Sequence, residues 1–329
     1  MLSRDGIRRA ALAIIRKSWQ NQRQRNSLII CNHRSTSSWT KDSYYQKNDL
    51  KKDVDKVLSL SIGSLNEEGW ENVEYLLRKC CREEGSVKLS FDLLDRIANE
   101  EEDPDFTPSF NPLNSAIFNW KNQYLNNPQT SESPRDIVER LGKWREQSQC
   151  LQPDAKAYTM IIEASKHDKE GVFFAESLLK WMLNESKKNI LIQPTTVTFA
   201  ALMNAWATSG RPESSNKIEE LIHQMKELHE SGWPDLSPTT AVYNILLNSL
   251  ARAGNVEQAE GVLQNMLSEA TPVEPDRISF TTLLKAYSTW DHSEAFGRAQ
   301  MLLSQMHELY EGGYESAKPN VISYTVVMN

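Results

Sequence analysis

Long apolar runs are missing from this 329-residue sequence. No stretch approaches the ~18 uninterrupted apolar residues of a membrane-spanning helix. Cysteine is scarce as well: Cys31, Cys80, Cys81 and Cys150 lack the paired spacing of a zinc site, and two of them are adjacent. That excludes a disulfide framework and points to free thiols in a reducing compartment. The six histidines are scattered, no nucleophile constellation is present, and no cluster of carboxylates stands where metal-assisted phosphoryl chemistry would need one. The acidic run 100–103 ahead of Pro104 reads as a solvated loop. No catalytic residue, metal or cofactor is therefore expected. Positive charge is thin over most of the chain. Residues 1–41 carry nine Lys/Arg and one acid, a net +8, which leaves −15 on the remainder.

What the sequence has in quantity is self-similarity. A proline, four residues, an aromatic and a helix-spaced apolar series recur as PDAKAYTMII (153–162), PTTVTFAALM (194–203), PTTAVYNILL (238–247), PDRISFTTLL (275–284) and PNVISYTVVM (319–328). A weaker copy, PSFNPLNSAI (108–117), has Leu113 in place of the aromatic. Proline is expected in the first helical turn, where its fixed φ fits and no N–H is required. Phe199, Leu202, Met203 and Trp206 share one helical face, as do Tyr243, Leu246, Leu247 and Leu250, and Phe280, Leu283, Leu284 and Tyr287. Six residues past each aromatic stands a small side chain (Ala164, Ala205, Ser249, Ala286) that would let a second helix come close. That second helix is visible as AESLLKWM (175–182), AEGVLQNM (259–266) and AQMLLSQM (299–306), with 218–225 as a variant. Residues 67–100 read as a degenerate hairpin, with Trp70, Val73, Leu76 and Leu77 in its first helix and Phe91, Leu94 and Ile97 in its second.

One such hairpin cannot bury both apolar faces, whereas stacked neighbours can. The expected fold is all-α, an α-solenoid of stacked antiparallel helical hairpins over 67–329 with no sheet, its last repeat incomplete at residue 329. Residues 42–66 read as a polar linker. Ahead of it, Leu12, Ile15 and Trp19 share a helical face in a basic, Ser/Asn-rich, acid-poor segment, 1–41. That is the composition of an organellar transit peptide, for the mitochondrion or, alternatively, the plastid.

Residues 241–276, with Tyr243-Asn244, the Gly254 turn, Ala259, Met266 and the closing Pro275-Asp276, resemble a pentatricopeptide repeat almost throughout, and the resemblance extends over about 108–329. The proline-to-proline spacings of 45, 41, 44, 37 and 44 residues exceed the family's unit. The extra residues fall near the end of the second helix, as in 229–238 and 310–319, where they would disturb the register between repeats and bases. The resemblance implies that the first helices line a groove for single-stranded RNA, two side chains per repeat reading one base edge. Carried over, the pairs are Asn114 with Asp154, Thr159 with Thr195, Ala200 with Thr239, Asn244 with Asp276, and Thr281 with Asn320, while Thr325 opens a sixth. Asn with Asp resembles the family's uracil reader and Thr with Asn its adenine reader; the other two pairs are not recognised ones. An aliphatic residue two before the aromatic would clamp each base: Val197, Ile278 and Ile322 conform, Lys156 and Ala241 depart. The implied function is sequence-selective binding of single-stranded organellar RNA in processing, stability or translation, with organellar RNA-processing or ribosomal proteins as further partners and no membrane. The alternative is a protein-interaction scaffold on the same repeats. The two differ in the charge expected along the first helices, because phosphate contacts need a basic surface.

Overall fold

The computed structural model describes residues 50–60, 67–80, 86–99, 112–148, 151–167, 170–268 and 273–328. The basic segment 1–41 and the acidic run 100–103 lie outside them. The helices are α1 (Leu50–Leu58), α2 (Glu67–Cys80), α3 (Val87–Ala98), α4 (Pro112–Asn126), α5 (Pro134–Gln147), α6 (Ala155–Ala164), α7 (Gly171–Glu185), α8 (Thr196–Ser209), α9 (Ser214–Glu230), α10 (Thr240–Arg252), α11 (Val256–Leu267), α12 (Arg277–Thr289), α13 (Ala295–Glu311) and α14 (Val321–Met328). Five short 3-10 turns join them, and no strand occurs among the described residues.

First helices α4, α6, α8, α10, α12 and α14 each pack on the next, forming one continuous row, with α2 ahead of α4. Second helices α7, α9, α11 and α13 each touch the first helices on either side of them. The sequence pattern explains the packing. Phe199, Leu202, Met203 and Trp206 are fully buried, as are Phe280 and Leu284. Each such side chain contributes about 1.5–3 kcal/mol of burial. The small residues Ala164, Ala205, Ser249 and Ala286 are buried where the second helix crosses, and Ser249 shares a 3.0 Å hydrogen bond with Ser215 of α9. The all-α hairpin stack is as expected.

Two details differ from expectation. Leu50–Leu58 lies inside the stretch read as linker, yet it is a helix. Leu50, Val54 and Val57 form its one buried face, against α2 and α3. Five charged residues among its nine made it look like a linker. The prolines, in turn, do not open the helices. Pro153, Pro194, Pro238, Pro275 and Pro319 stand one residue before the N-cap. The residue after each of them takes the cap, as Asp154, Thr195, Thr239 and Asp276 do in extended backbone. A cap needs a side-chain acceptor, which proline lacks, so proline stays in the connector, where no helical N–H is required.

The extra residues have a defined structure. Helices α9 and α13 run to 17 residues and end at Gly232 and Gly313, both in the left-handed region (φ +99° and +98°) that only glycine adopts without strain. A 3-10 turn follows, at Pro234–Leu236 and Glu315–Ala317. Two residues before every repeat proline an apolar side chain is buried: Leu151, Ile192, Leu236, Val273 and Ala317. That anchor ties the connector down, and the row of first helices continues across both inserts.

Candidate nucleic-acid interface

Counted from the N-cap of each first helix from α6 to α14, the residues singled out in the sequence occupy fixed places. The closing-proline partner is the N-cap itself. The apolar clamp is the second helical residue, and the residue after the aromatic is the fifth. The fifth residue of one first helix is therefore carried next to the N-cap of the following one. Asn114 donates to Asp154 through Nδ2–Oδ2 at 2.9 Å, and Asn244 donates to Asp276 through Nδ2–Oδ1 at 3.0 Å. Both pairs span two repeats and are half-buried.

The other pairs are arranged differently. Thr159 and Thr195 meet through the hydroxyl of Thr198, 2.8 Å from the first and 3.5 Å from the second. Ala200 offers no polar group, and Thr239 is exposed. Thr281 turns its hydroxyl onto the Arg277 carbonyl of its own helix at 2.8 Å. Asn320 uses Oδ1 to cap α14, accepting from the Ser323 N–H at 2.9 Å. Thr325, at the matching place in α14, donates to the Val321 carbonyl. The closing-proline residues are thus helix caps whatever else they do. What remains for a ligand differs between them: at Asp154 both oxygens are engaged, by the Ala157 N–H and by Asn114, whereas at Asp276 Oδ1 accepts from Asn244 and from the Ser279 N–H and Oδ2 takes part in neither bond.

The third residue of each first helix, not singled out in the sequence, completes the junction. Ala157, Thr198, Val242, Ser279 and Ser323 are all fully buried. Ser279 donates its hydroxyl to the side-chain oxygen Oδ1 of Asn244 at 2.6 Å and sits beside its own cap, Asp276. The available signal was a constant offset, a small or β-branched residue four places after every repeat proline.

Clamp positions Val197, Ile278 and Ile322 are 62%, 60% and 49% exposed, although the aromatics two residues on are buried at Phe199 and Phe280. These apolar side chains stand out from the first turns of consecutive first helices, where a base could lie against them. Phe118 of α4 is half-exposed one turn beyond Asn114, with the Lys121 ammonium 5.3 Å from its ring centre. Lys121 also pairs with Glu163 of α6 at 2.6 Å.

Charge is divided between the two helix sets. First helices α4 to α14 carry Lys121, Lys156, Arg252, Arg277 and Lys285 against the single acid Glu163. Second helices α9 and α11 together carry Lys217 and Lys226 against Glu219, Glu220, Glu227, Glu230, Glu257 and Glu260. Helices α9 and α11 are thus acidic, whereas the second helix α5, with Arg135, Arg140, Lys143 and Arg145 against Asp136, Glu139 and Glu146, is not. Among the described residues no group of three or more His, Cys, Asp or Glu side chains could hold a metal ion, and no helix is long and apolar enough to cross a membrane.

Capped first helices in one row, with second helices packed between them, define a helical-hairpin repeat protein. Its repeats are similar to pentatricopeptide repeats. The PPR repeat family profile matches residues 238–289. A pentatricopeptide repeat-containing protein of Arabidopsis thaliana is 28% identical over 134 residues, covering 41% of this chain and 21% of its own length. A chloroplastic one from the same plant is 28% identical over 123 residues (37% of this chain, 20% of its own length), and a mitochondrial one 24% over 152 (46% and 26%). The matches thus span about a fifth to a quarter of these relatives. The crystal structure of the pentatricopeptide repeat protein PPR10 from maize aligns with 85% of this chain and 35% of its own, at 20% identity and a TM-score of 0.49.

Proposed function

We propose that this chain binds single-stranded RNA along its row of first helices, one base per repeat junction, inside an organelle, where it serves RNA processing, stability or translation. The carrying observation is the junction itself. At two junctions an asparagine of one repeat meets the N-cap aspartate of the next, on first helices that carry more bases than acids, and exposed apolar side chains stand along the same row. Unstacked bases present their Watson–Crick edges and faces to such a surface. A carboxylate accepts the N3–H of uracil, and an asparagine amide donates to N1 of adenine. If repeats run along RNA from 5′ to 3′ as the chain runs N to C, the pairs spell 5′-U-N-N-U-A-3′. Base contacts of about 1–3 kcal/mol each, less ordering costs, give micromolar binding for five junctions. The basic first helices favour RNA over the protein scaffold as occupant of this row.

The mitochondrion is the proposed compartment, with the plastid as alternative, on the strength of the segment 1–41. Residues 1–41 fused to a fluorescent protein should reach one of the two, and a diffuse cytosolic signal would remove that part of the proposal. For base reading the test is Asn320→Asp. It keeps the cap but replaces a donor by an acceptor, so the preference at the last base should move from adenine to guanine by about 1–3 kcal/mol. Titration against oligonucleotides differing only at that base reads the change. Equal affinities in wild type and variant alike would mean that these residues do not read bases.

A further inference from the structure

The first residue of a first helix, directly after its cap, reaches forward to the connector that leads into the following first helix. Thr196 of α8 donates its hydroxyl to the Asp235 carbonyl at 2.6 Å, with the Ser237 carbonyl 3.3 Å away. Thr240 of α10 donates to the Glu274 carbonyl at 2.8 Å, and Arg277 of α12 donates Nε–H to the Lys318 carbonyl at 3.0 Å. Ser237, Glu274 and Lys318 each stand immediately before a repeat proline and two places before a cap. One position in each repeat therefore clasps one carbonyl of the next, at three consecutive junctions.

Two of these junctions contain an insert and one does not. The proline-to-proline spacing is 44 residues from Pro194 to Pro238, 37 from Pro238 to Pro275 and 44 from Pro275 to Pro319. The clasp reaches the carbonyl before the proline in all three. A threonine hydroxyl lies close to its own backbone, so Thr196 and Thr240 leave the connector little slack. The inserts are fastened outside the row. Each puts a half-buried aromatic, Trp233 or Tyr314, directly after its left-handed glycine and a buried anchor, Leu236 or Ala317, three residues further on. Tyr314 also donates its hydroxyl to the Pro275 carbonyl at 2.7 Å, tying its insert back to the previous connector.

We propose that Thr196, Thr240 and Arg277 are spacing residues that set the step from one cap to the next, so that Thr195, Thr239, Asp276 and Asn320 meet four consecutive nucleotides with none skipped at the inserts. The proposal rests on RNA binding by the first-helix row and adds where its register is kept: in the first turn of each first helix, not in the length of the repeat. These residues act through the backbone of the connector, by placing the caps. Thr196 carries the most weight, because Ala200 offers Thr239 no polar group, whereas Asn244 bonds Asp276 across the next junction.

The test titrates the full chain with three RNA oligonucleotides of equal total length, containing 5′-U-N-N-U-A-3′, 5′-U-N-N-N-U-A-3′ or 5′-U-N-N-U-N-A-3′. The wild type should bind the uninterrupted run at least about fivefold tighter than either of the others. Thr196→Val removes the hydroxyl at constant shape and should bring the second oligonucleotide within about twofold of the first, with the third still penalised. Thr196→Ser should behave as wild type. So should Thr208→Val, which removes a hydroxyl bonded to its own helix. Hydrogen exchange over residues 234–239 reads the clasp without RNA: it should quicken severalfold in Thr196→Val and not in Thr208→Val. Unchanged exchange in Thr196→Val would overturn the proposal, as would a loss of affinity by one factor for all three oligonucleotides, the mark of a merely structural role. Equal wild-type affinity for the three would overturn the spacing role and leave RNA binding standing. No binding to any of them would overturn the RNA reading itself.

Discussion

The two helix sets of this protein share one core and differ in almost everything that faces outward. First helices bury large side chains such as Phe199, Trp206 and Phe280 toward the second helices, and their outward surface is polar or basic, with a few exposed aliphatics. Second helices bury Ala175, Met182, Ala259 and Met266 toward the same core, and their outward surface is acidic at α9 and α11. Net charge is thus a poor guide to what such a chain can bind. A body of −15 still offers first helices that carry five cations and one acid, apart from their caps Asp154 and Asp276. Screening over roughly 8 Å at physiological salt lets the two surfaces act nearly independently.

The comparison can be broken most severely from within the shared core. Trp206 is fully buried between α8 and the second helices beside it, so Trp206→Ala should cost about 3–5 kcal/mol, read as a lowered midpoint in denaturant by circular dichroism. Val197, on the same helix but exposed, should tolerate alanine within about 0.5 kcal/mol of wild-type stability while weakening RNA binding. Comparable losses of stability in the two variants would refute the division into core and ligand surface.

A charge exchange sharpens the same contrast. Lys285→Glu on the row should lower RNA affinity severalfold and reduce the salt dependence by about one ion. Glu219→Lys on α9 adds positive charge to the other set and should leave both nearly unchanged. An equal response would mean that RNA sees only total charge. The smallest effect is expected at a junction. Ser279→Ala removes the bond to Asn244 and one side of the Asp276 cap, at about 1 kcal/mol of stability. In titrations it should also loosen the choice of base at that position more than at its neighbours.

Much of this architecture was legible in the sequence because its determinants repeat. The proline, the aromatic and the small residue six beyond it return at every unit, and each has one physical task. Asn244 and Asp276 were paired in the sequence only as readers of one base; their bond to each other was not foreseen. In sequence these are two polar residues 32 apart, and only the packing of α10 on α12 makes them touch. Thr281 and Asn320 follow the same spacing, yet each side chain is engaged elsewhere, because a threonine hydroxyl finds its own helix carbonyl within reach where an asparagine amide extends beyond it. Helix α1 was missed since four apolar residues among five charged ones carry little signal until α2 and α3 supply a surface. The charge division was missed because it exists only once helices are assigned to two sets.

The shared carboxylate of Asp276 has a consequence for anyone wishing to recode this protein. It caps α12, holds Asn244 of the repeat before and stands where a base would be read, so altering that letter also alters a hinge between two units. At the Thr281/Asn320 junction no such tie crosses the repeats, and Asn320 can be exchanged for another capping residue without touching its neighbour. Recoding should therefore be cheap at some positions and structurally expensive at others. A library varying all junctions at once would lose members through misfolding at Asp154 and Asp276 first.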